Sequence, residues 1–305
     1  MVGAGATGGA FGSLLHEDGR DVTYLVRTHR AERLRREGLR FVSPSGDRTH
    51  QVQVLTTGEA AEAFDLVIVT VKASALPTAI EDVRPYVGRD TVILPVLNGM
   101  AHMDRLEEAF PGQTVGGLAK IVATLDEGTV RQMTELTTLT VGPWTAAALP
   151  TAVTDALRVP GIDLTVSDDV AGAMWEKWVF IAAGGVVTCL FRGPVGATIE
   201  AGGLPRILEA ISELEAVADA AGHPVSASGH AQSVTLLTQP GSAFTTSLYR
   251  DLIAGNPTEA EHILGDLARR ARLLGVPTPL LDLTLIQVRS DAIQRWNAEA
   301  ALPTG

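Results

Sequence analysis

Residues 3–9 read Gly-Ala-Gly-Ala-Thr-Gly-Gly, and this run constrains the fold more tightly than any other feature of the chain. Gly3, Gly5 and Gly8 have the spacing of a dinucleotide-binding turn. The first glycine of such a unit permits a tight strand-to-helix turn, the second lets the backbone approach a pyrophosphate, and the third lets the helix pack closely on the sheet. The phosphates then meet free backbone N–H groups at the positive end of the helix. Gly3, Gly5, Ala6, Thr7 and Gly8 are therefore the expected phosphate loop. Its helix should span residues 8–18, with Phe11, Leu14 and Leu15 as the apolar stripe and Gly19 as the stop. The alternating, β-branched segment 21–27 reads as the next strand. Only Met1 and Val2 precede Gly3, whereas a buried parallel strand runs to about five residues. The expectation is that the natural reading frame begins upstream of Met1.

A dinucleotide site that prefers NADH places an acid about 20 residues beyond the glycines, where it binds the ribose 2′-hydroxyl. Leu25, Val26 and Arg27 occupy that region, and none is acidic. A guanidinium pairs with a 2′-phosphate through charge-assisted hydrogen bonds, so Arg27 points to NADPH. The plainer reading makes Arg27 and Arg30 ordinary solvated charges.

The chain has 305 residues, 46% of them hydrophobic and 19% charged, which suits a globular protein of two domains. A net charge of −11 argues against a nucleic-acid partner, which needs cations for its phosphates. The basic run Arg33-Leu-Arg35-Arg36 reads as a solvated helix face. One cysteine, Cys189, excludes an internal disulfide. No run of 18 purely apolar residues suggests a membrane partner, and the glycine loop stands where a signal peptide would be. A cytoplasmic location is the default expectation.

Alternating strands and helices up to residue 110 indicate an α/β domain. Segments 65–72 and 91–97 read as buried parallel strands. Segments 39–42 and 51–55 read as a hairpin around the turn 43–47, and 59–64 as a short helix. Two further strands, 115–124 and 130–141, flank the turn Asp126-Glu-Gly128. From residue 168 the pattern is helical: 168–190, 204–221, 226–237, 259–274 and 281–297. The expected architecture is an N-terminal Rossmann-like NADP-binding domain (1–166) followed by an all-α domain (167–305), with the substrate in the cleft between them.

Several residues suit chemistry. Lys72 and Asn98 each end a strand at its carboxyl end, where ligands bind in open α/β sheets. Asn98 also precedes Gly99, a common turn pair. The chain has only three lysines, Lys72, Lys120 and Lys177, among 24 basic residues. Lys177 sits in Met174-Trp-Glu-Lys-Trp-Val-Phe-Ile181, with Ala173, Met174, Phe180 and Ile181 on its helical face. It either snorkels to solvent or is held beside a substrate, where burial would lower its pKa and make it a usable acid. Glu259 reads as a helix N-terminal acid. Ser247 reads as a cap or a carboxylate ligand. His262 lacks a spaced partner, so no metal site is expected.

The ordered motifs resemble the ketopantoate reductase (2-dehydropantoate 2-reductase) family. They are Gly3–Gly9, Leu25-Val-Arg27, Val69-Thr-Val-Lys-Ala73, Leu97-Asn-Gly-Met100, Trp175-Glu-Lys-Trp178, Ser247-Leu-Tyr-Arg-Asp251, Thr258-Glu-Ala-Glu261, Gly265-Asp-Leu-Ala-Arg-Arg-Ala271 and Gly275-Val-Pro-Thr-Pro279. The resemblance implies NADPH-dependent reduction of a small 2-keto acid, nominally ketopantoate. It implies Lys177 as the proton donor, Glu259 as the ligand of the substrate hydroxyl and Ser247 as the ligand of its carboxylate. Asn98 and Lys72 would lie beside the cofactor and the catalytic centre, with Asn98 also binding the substrate, and Arg27 on the 2′-phosphate. Such family members tend to carry Asn four and eight residues after the lysine, where this chain has Ile181 and Gly185. A relative acting on another carbonyl or imine, or a non-catalytic NADPH-binding regulator, is the alternative. Self-association as a homodimer stays open.

Overall fold

A computed structural model of the chain describes residues 1–144 and 149–300. Its elements, in order, are α1 (Ala6–Glu17), β1 (Thr23–Leu25), α2 (Thr28–Glu37), β2 (Leu39–Ser43), β3 (Gly46–His50), β4 (Gln53–Leu55), β5 (Leu66–Val69), α3 (Leu76–Val83), β6 (Val92–Pro95), α4 (Ala101–Ala109), β7 (Val115–Asp126), β8 (Thr129–Pro143), α5 (Thr151–Leu157) and β9 (Asp163–Val166). The helices α6 (Val170–Leu190), α7 (Val195–Glu200), α8 (Leu204–Ala220), α9 (Ala227–Leu237), α10 (Ser247–Ala254), α11 (Asp266–Leu274) and α12 (Pro279–Ala300) follow. The chain forms two compact units, one of residues 1–97 and 102–171, the other of residues 98–101 and 172–305.

The first unit is a Rossmann-like α/β unit. β1 pairs in parallel with β4, and β5 with β6. Val2 bridges these pairs, lying parallel to both Leu25 and Val69. Its N–H donates to Ile68 O at 2.8 Å, and Thr70 N–H donates back to Val2 O at 3.0 Å. The short first strand thus reduces to one bridging residue that still joins its neighbours. A second sheet runs β3-β2-β8-β7, with β9 added beside β8. The long β7–β8 hairpin turns through Glu127 and Gly128, both at positive φ. α1 buries Phe11, Leu14 and Leu15 in a core shared with Tyr24, Leu39, Phe41 and Val130.

Three local expectations change. β2 forms its hairpin with β3, through the pairs Leu39↔His50 to Ser43↔Gly46, rather than with 51–55. β4 instead joins β1 in the parallel sheet, where Val54 sits opposite Tyr24. A tight turn at 44–45 uses residues that alternation alone had assigned to a longer loop. Residues 59–64 are not helical, because their polar groups bond elsewhere. The Glu59 carboxylate accepts from Thr56 N and from Arg35, Tyr86 Oη donates to Glu59 O, and Phe64 N donates to Tyr86 O. The helix expected over 259–274 opens with a π turn, Glu261–Gly265, before α11.

The second unit is helical and is built on α6. This helix has 21 residues, and an 18-residue stretch of it has a mean hydropathy of 1.3, enough to span a bilayer by length and composition, yet 61% of that stretch is buried inside the protein. Trp175, Trp178, Val179, Ala182, Ala183, Val186 and Val187 are all buried, so α6 is apolar almost all round because it is a core helix.

Gly8 shows the tolerance of the first unit. A Cβ there would collide with Thr70 Oγ1 and with Gly3 O, and a backbone oxygen cannot swing aside. Gly8→Ala is expected to cost roughly 1–3 kcal/mol by overpacking, seen as a thermal midpoint several degrees lower. An unchanged midpoint would refute the close approach.

Candidate active site

The glycine loop is shaped for an anion. Gly3 has φ +95° and donates to Leu25 O at 3.0 Å. Thr70 Oγ1 donates to Val2 O and Gly3 O at 3.0 and 3.1 Å, which ties the loop to the end of β5. Gly5 is the N-cap of α1, with no side-chain cap and no acid in the first turn. The first-turn N–H groups therefore keep their donors for a ligand. A Cβ on Gly5 would meet nothing within 4 Å, so the backbone is open on that side. These residues fit a dinucleotide pyrophosphate.

Arg27 follows β1 and is exposed. Its backbone starts α2, and its side chain makes no hydrogen bond or ion pair among the described residues. Arg30 behaves differently. Its guanidinium donates to Ala4 O and Gly128 O, both at 3.1 Å. Burial, with Arg33 nearby, holds its pKa below the usual arginine range. Arg30 thus braces the glycine loop against the β7–β8 turn. The plainer reading of Arg30 as a solvated charge does not hold, and a contact 98 residues away leaves no local signal of this role. Lys72 is exposed just beyond β5, and its carbonyl accepts from Ala75 N at 2.9 Å as the chain turns into a short 3₁₀ helix.

The second unit brings Lys177 and Asn98 together. Lys177 Nζ donates to Asn98 Oδ1 at 3.0 Å. Lys177 is half-buried, whereas Lys72 and Lys120 are exposed. The ammonium is therefore held in place rather than snorkelling to solvent. Residues 98–101 belong to this unit although they follow β6 in the chain. Glu259 is half-buried at the start of the α11 segment, and its carbonyl accepts from His262 N and Ile263 N at 3.1 and 2.9 Å.

Ser247 is exposed as the first residue of α10, but it is not the cap. Thr246 is: its Oγ1 accepts from Tyr249 N at 3.2 Å. The same hydroxyl lies 2.9 Å from Thr188 Oγ1, which donates to Gly184 O at 2.7 Å. Thr188, unnoticed in the sequence, thereby ties α10 to α6. Ile181 is half-buried. Gly185 is buried, and a Cβ there would lie 3.3 Å from Leu248 and 3.5 Å from Leu264. Burial pushes the Cys189 thiol up to about 12, so it is not poised as a thiolate nucleophile.

A glycine turn at an uncapped helix start, on a parallel sheet, together with a helical unit that presents a fixed lysine, defines a dinucleotide-dependent oxidoreductase. The sequence matches the Ketopantoate reductase PanE/ApbA family over residues 1–146 and its C-terminal domain over residues 169–290. The chain belongs to the ketopantoate reductase family. It is 33% identical to the uncharacterized oxidoreductase YkpB of Bacillus subtilis (strain 168), over 92% of this chain and 94% of that protein. It is 30% identical to a 2-dehydropantoate 2-reductase of Halobacterium salinarum, again over 92% and 94%. Its fold matches a solved D-mandelate dehydrogenase with NADH and anilino(oxo)acetate, with a TM-score of 0.85 and 21% identity, covering 96% of this chain and 99% of that one.

Thr246→Ala removes a helix cap and is expected to cost about 1 kcal/mol, read as a lower thermal midpoint. Ser247→Ala should leave the midpoint nearly unchanged. Equal effects of the two substitutions would put the cap assignment in error.

Proposed function

We propose that the protein is an NADPH-dependent reductase of a 2-keto acid, nominally of ketopantoate to pantoate, with Lys177 as the general acid. The observation that carries this reading is the Lys177–Asn98 hydrogen bond within a family of oxidoreductases. Gly3, Gly5, Ala6, Thr7 and Gly8 would hold the pyrophosphate and Arg27 the 2′-phosphate, with Lys72 and Asn98 beside the cofactor. The bound cofactor supplies the hydride that reduces the keto carbon.

The protein's own groups handle orientation and the proton. Asn98 Oδ1 accepts one N–H of the Lys177 ammonium, which fixes the ammonium's rotation. Another N–H would hydrogen-bond the keto oxygen. As negative charge develops on that oxygen, the cation stabilises it, and an N–H proton passes to the oxygen to complete the alcohol. The neutral amine then regains a proton from solvent. Glu259 would accept a hydrogen bond from the substrate hydroxyl, and Ser247 would donate one to its carboxylate.

A second reading keeps this chemistry and changes the substrate. Ile181 and Gly185, one and two turns after Lys177, offer no polar group, and the place beside Gly185 is filled by Leu248 and Leu264. Buried polar contacts discriminate strongly between substrates, whereas an apolar wall discriminates weakly. This favours a more apolar 2-keto acid as an alternative to ketopantoate. A regulator without catalysis would have no use for a lysine held against Asn98.

Purified protein should consume NADPH with ketopantoate or with an apolar 2-keto acid, and a panel of both kinds decides between the two readings. Lys177→Ala should lower kcat by at least about 10²-fold with NADPH affinity intact. A variant close to wild type would remove the proposed acid. Arg27→Ala should weaken NADPH binding while leaving NADH binding unchanged. Equal effects on both cofactors would overturn the 2′-phosphate assignment.

A further inference from the structure

Asn98, Lys177 and Glu259 lie far apart in the chain, yet each is fastened to the π turn Glu261–Gly265. Lys177 is fastened through its neighbour: the Trp178 indole N–H donates to Ile263 O at 2.9 Å, and Trp178 and Ile263 are both buried. Asn98 meets the turn by packing, through Gly99, whose backbone lies against His262. A Cβ on Gly99 would stand 3.2 Å from the His262 carbonyl oxygen and 3.3 Å from its ring Cδ2. Gly99 has φ +81°, so the turn after Asn98 also needs glycine for its backbone. Glu259 is fastened directly, through its carbonyl and the His262 and Ile263 N–H groups. The contacts close a ring: Lys177, Trp178, Ile263, His262, Gly99, Asn98 and back to Lys177.

We propose that this π turn is the positioning element of the site, with Trp178 and His262 as positioning residues that act through Lys177 and Asn98. The proposal rests on the reading of Lys177 as proton donor. A π turn carries one residue more per hydrogen-bonded ring than an α turn, and such turns occur often at functional sites. Here the wider turn presents Ile263 O to Trp178 while keeping His262 against Gly99. Rotating α6 about its axis would strand the buried indole N–H, which is costly. The next turn adds a second clamp: the Arg270 guanidinium lies 5.9 and 5.7 Å from the Trp175 and Trp178 rings and donates to Asp266 at 3.0 Å. The direction of the Lys177 ammonium is therefore set by three chain segments at once.

The test uses Trp178→Phe and His262→Leu, each alone and combined with Asn98→Ala, with His262→Gln as the conservative variant. The chain carries three lysines, so the side-chain NMR signal of Lys177 in ¹³C-lysine-labelled protein can be assigned by its loss in Lys177→Ala. Trp178→Phe and His262→Leu should each shift that signal without any substrate present. Each should also lower kcat by up to roughly 10²-fold with KM for the 2-keto acid little changed, as expected for a displaced catalytic group. In the Asn98→Ala background His262→Leu should cost almost nothing more, because its effect passes through Asn98. His262→Gln should restore most of kcat. An unmoved Lys177 signal, or an equal loss of kcat in both backgrounds, overturns the proposal. If Trp178→Phe fails to fold, the half-exposed His262 carries the test. If Lys177→Ala keeps full turnover, the proton-donor reading fails, while the NMR signal still decides whether the turn positions the lysine.

Discussion

The hydrogen bond from Lys177 to Asn98 is the constraint around which the helical unit is arranged. α6 is the core helix of that unit, and an ammonium carried on such a helix is costly unless its N–H groups are matched. The acceptor comes from a segment 79 residues earlier in the chain. Residues 98–101 therefore leave the sheet that precedes them and cluster with the helices. Gly99 lets the chain make that departure at positive φ, and the π turn receives it. Specific requirements at separate positions thus serve one polar contact.

The α/β unit depends on a different constraint, the close approach of backbone to backbone at the glycine loop. Gly8 has no room for a side chain between Thr70 and Gly3 O, and Thr70 holds the carbonyls of Val2 and Gly3. Arg30 adds a brace from α2 to Ala4 O. The loop is rigid on the protein side and open at Gly5 on the other. A backbone anion site needs that asymmetry, because donors that must not move cannot be held by the ligand alone.

Where the structure departs from the local sequence pattern, long-range pairing is the main reason. Residues 51–55 have the alternation of a hairpin arm, but period-two alternation does not name the partner strand, and β4 pairs with β1 instead. Residues 59–64 have helical propensity, yet Glu59 is occupied by Arg35 and Thr56, and its carbonyl by Tyr86. Ser247 and Thr246 are adjacent candidates for one cap, and only backbone geometry selects Thr246. The π turn leaves no trace in the hydrophobic period, since Ile263 and Leu264 are apolar residues that suit an ordinary helix equally well.

The sequence by itself determined the glycine turn, the apolar α6 with its embedded lysine, and the change from α/β to helical character. Each of these depends on local spacing and periodicity, which act over one or two turns of chain. Tertiary structure decided what Lys177 bonds to, which arginine braces the loop, and how α6, the Asn98 turn and the Glu259 helix start are held in register. Those choices rest on contacts between residues distant in the chain, among them pairs 79, 85 and 98 positions apart. They form only when burial makes unmatched polar groups expensive, a condition that no local stretch of sequence can express.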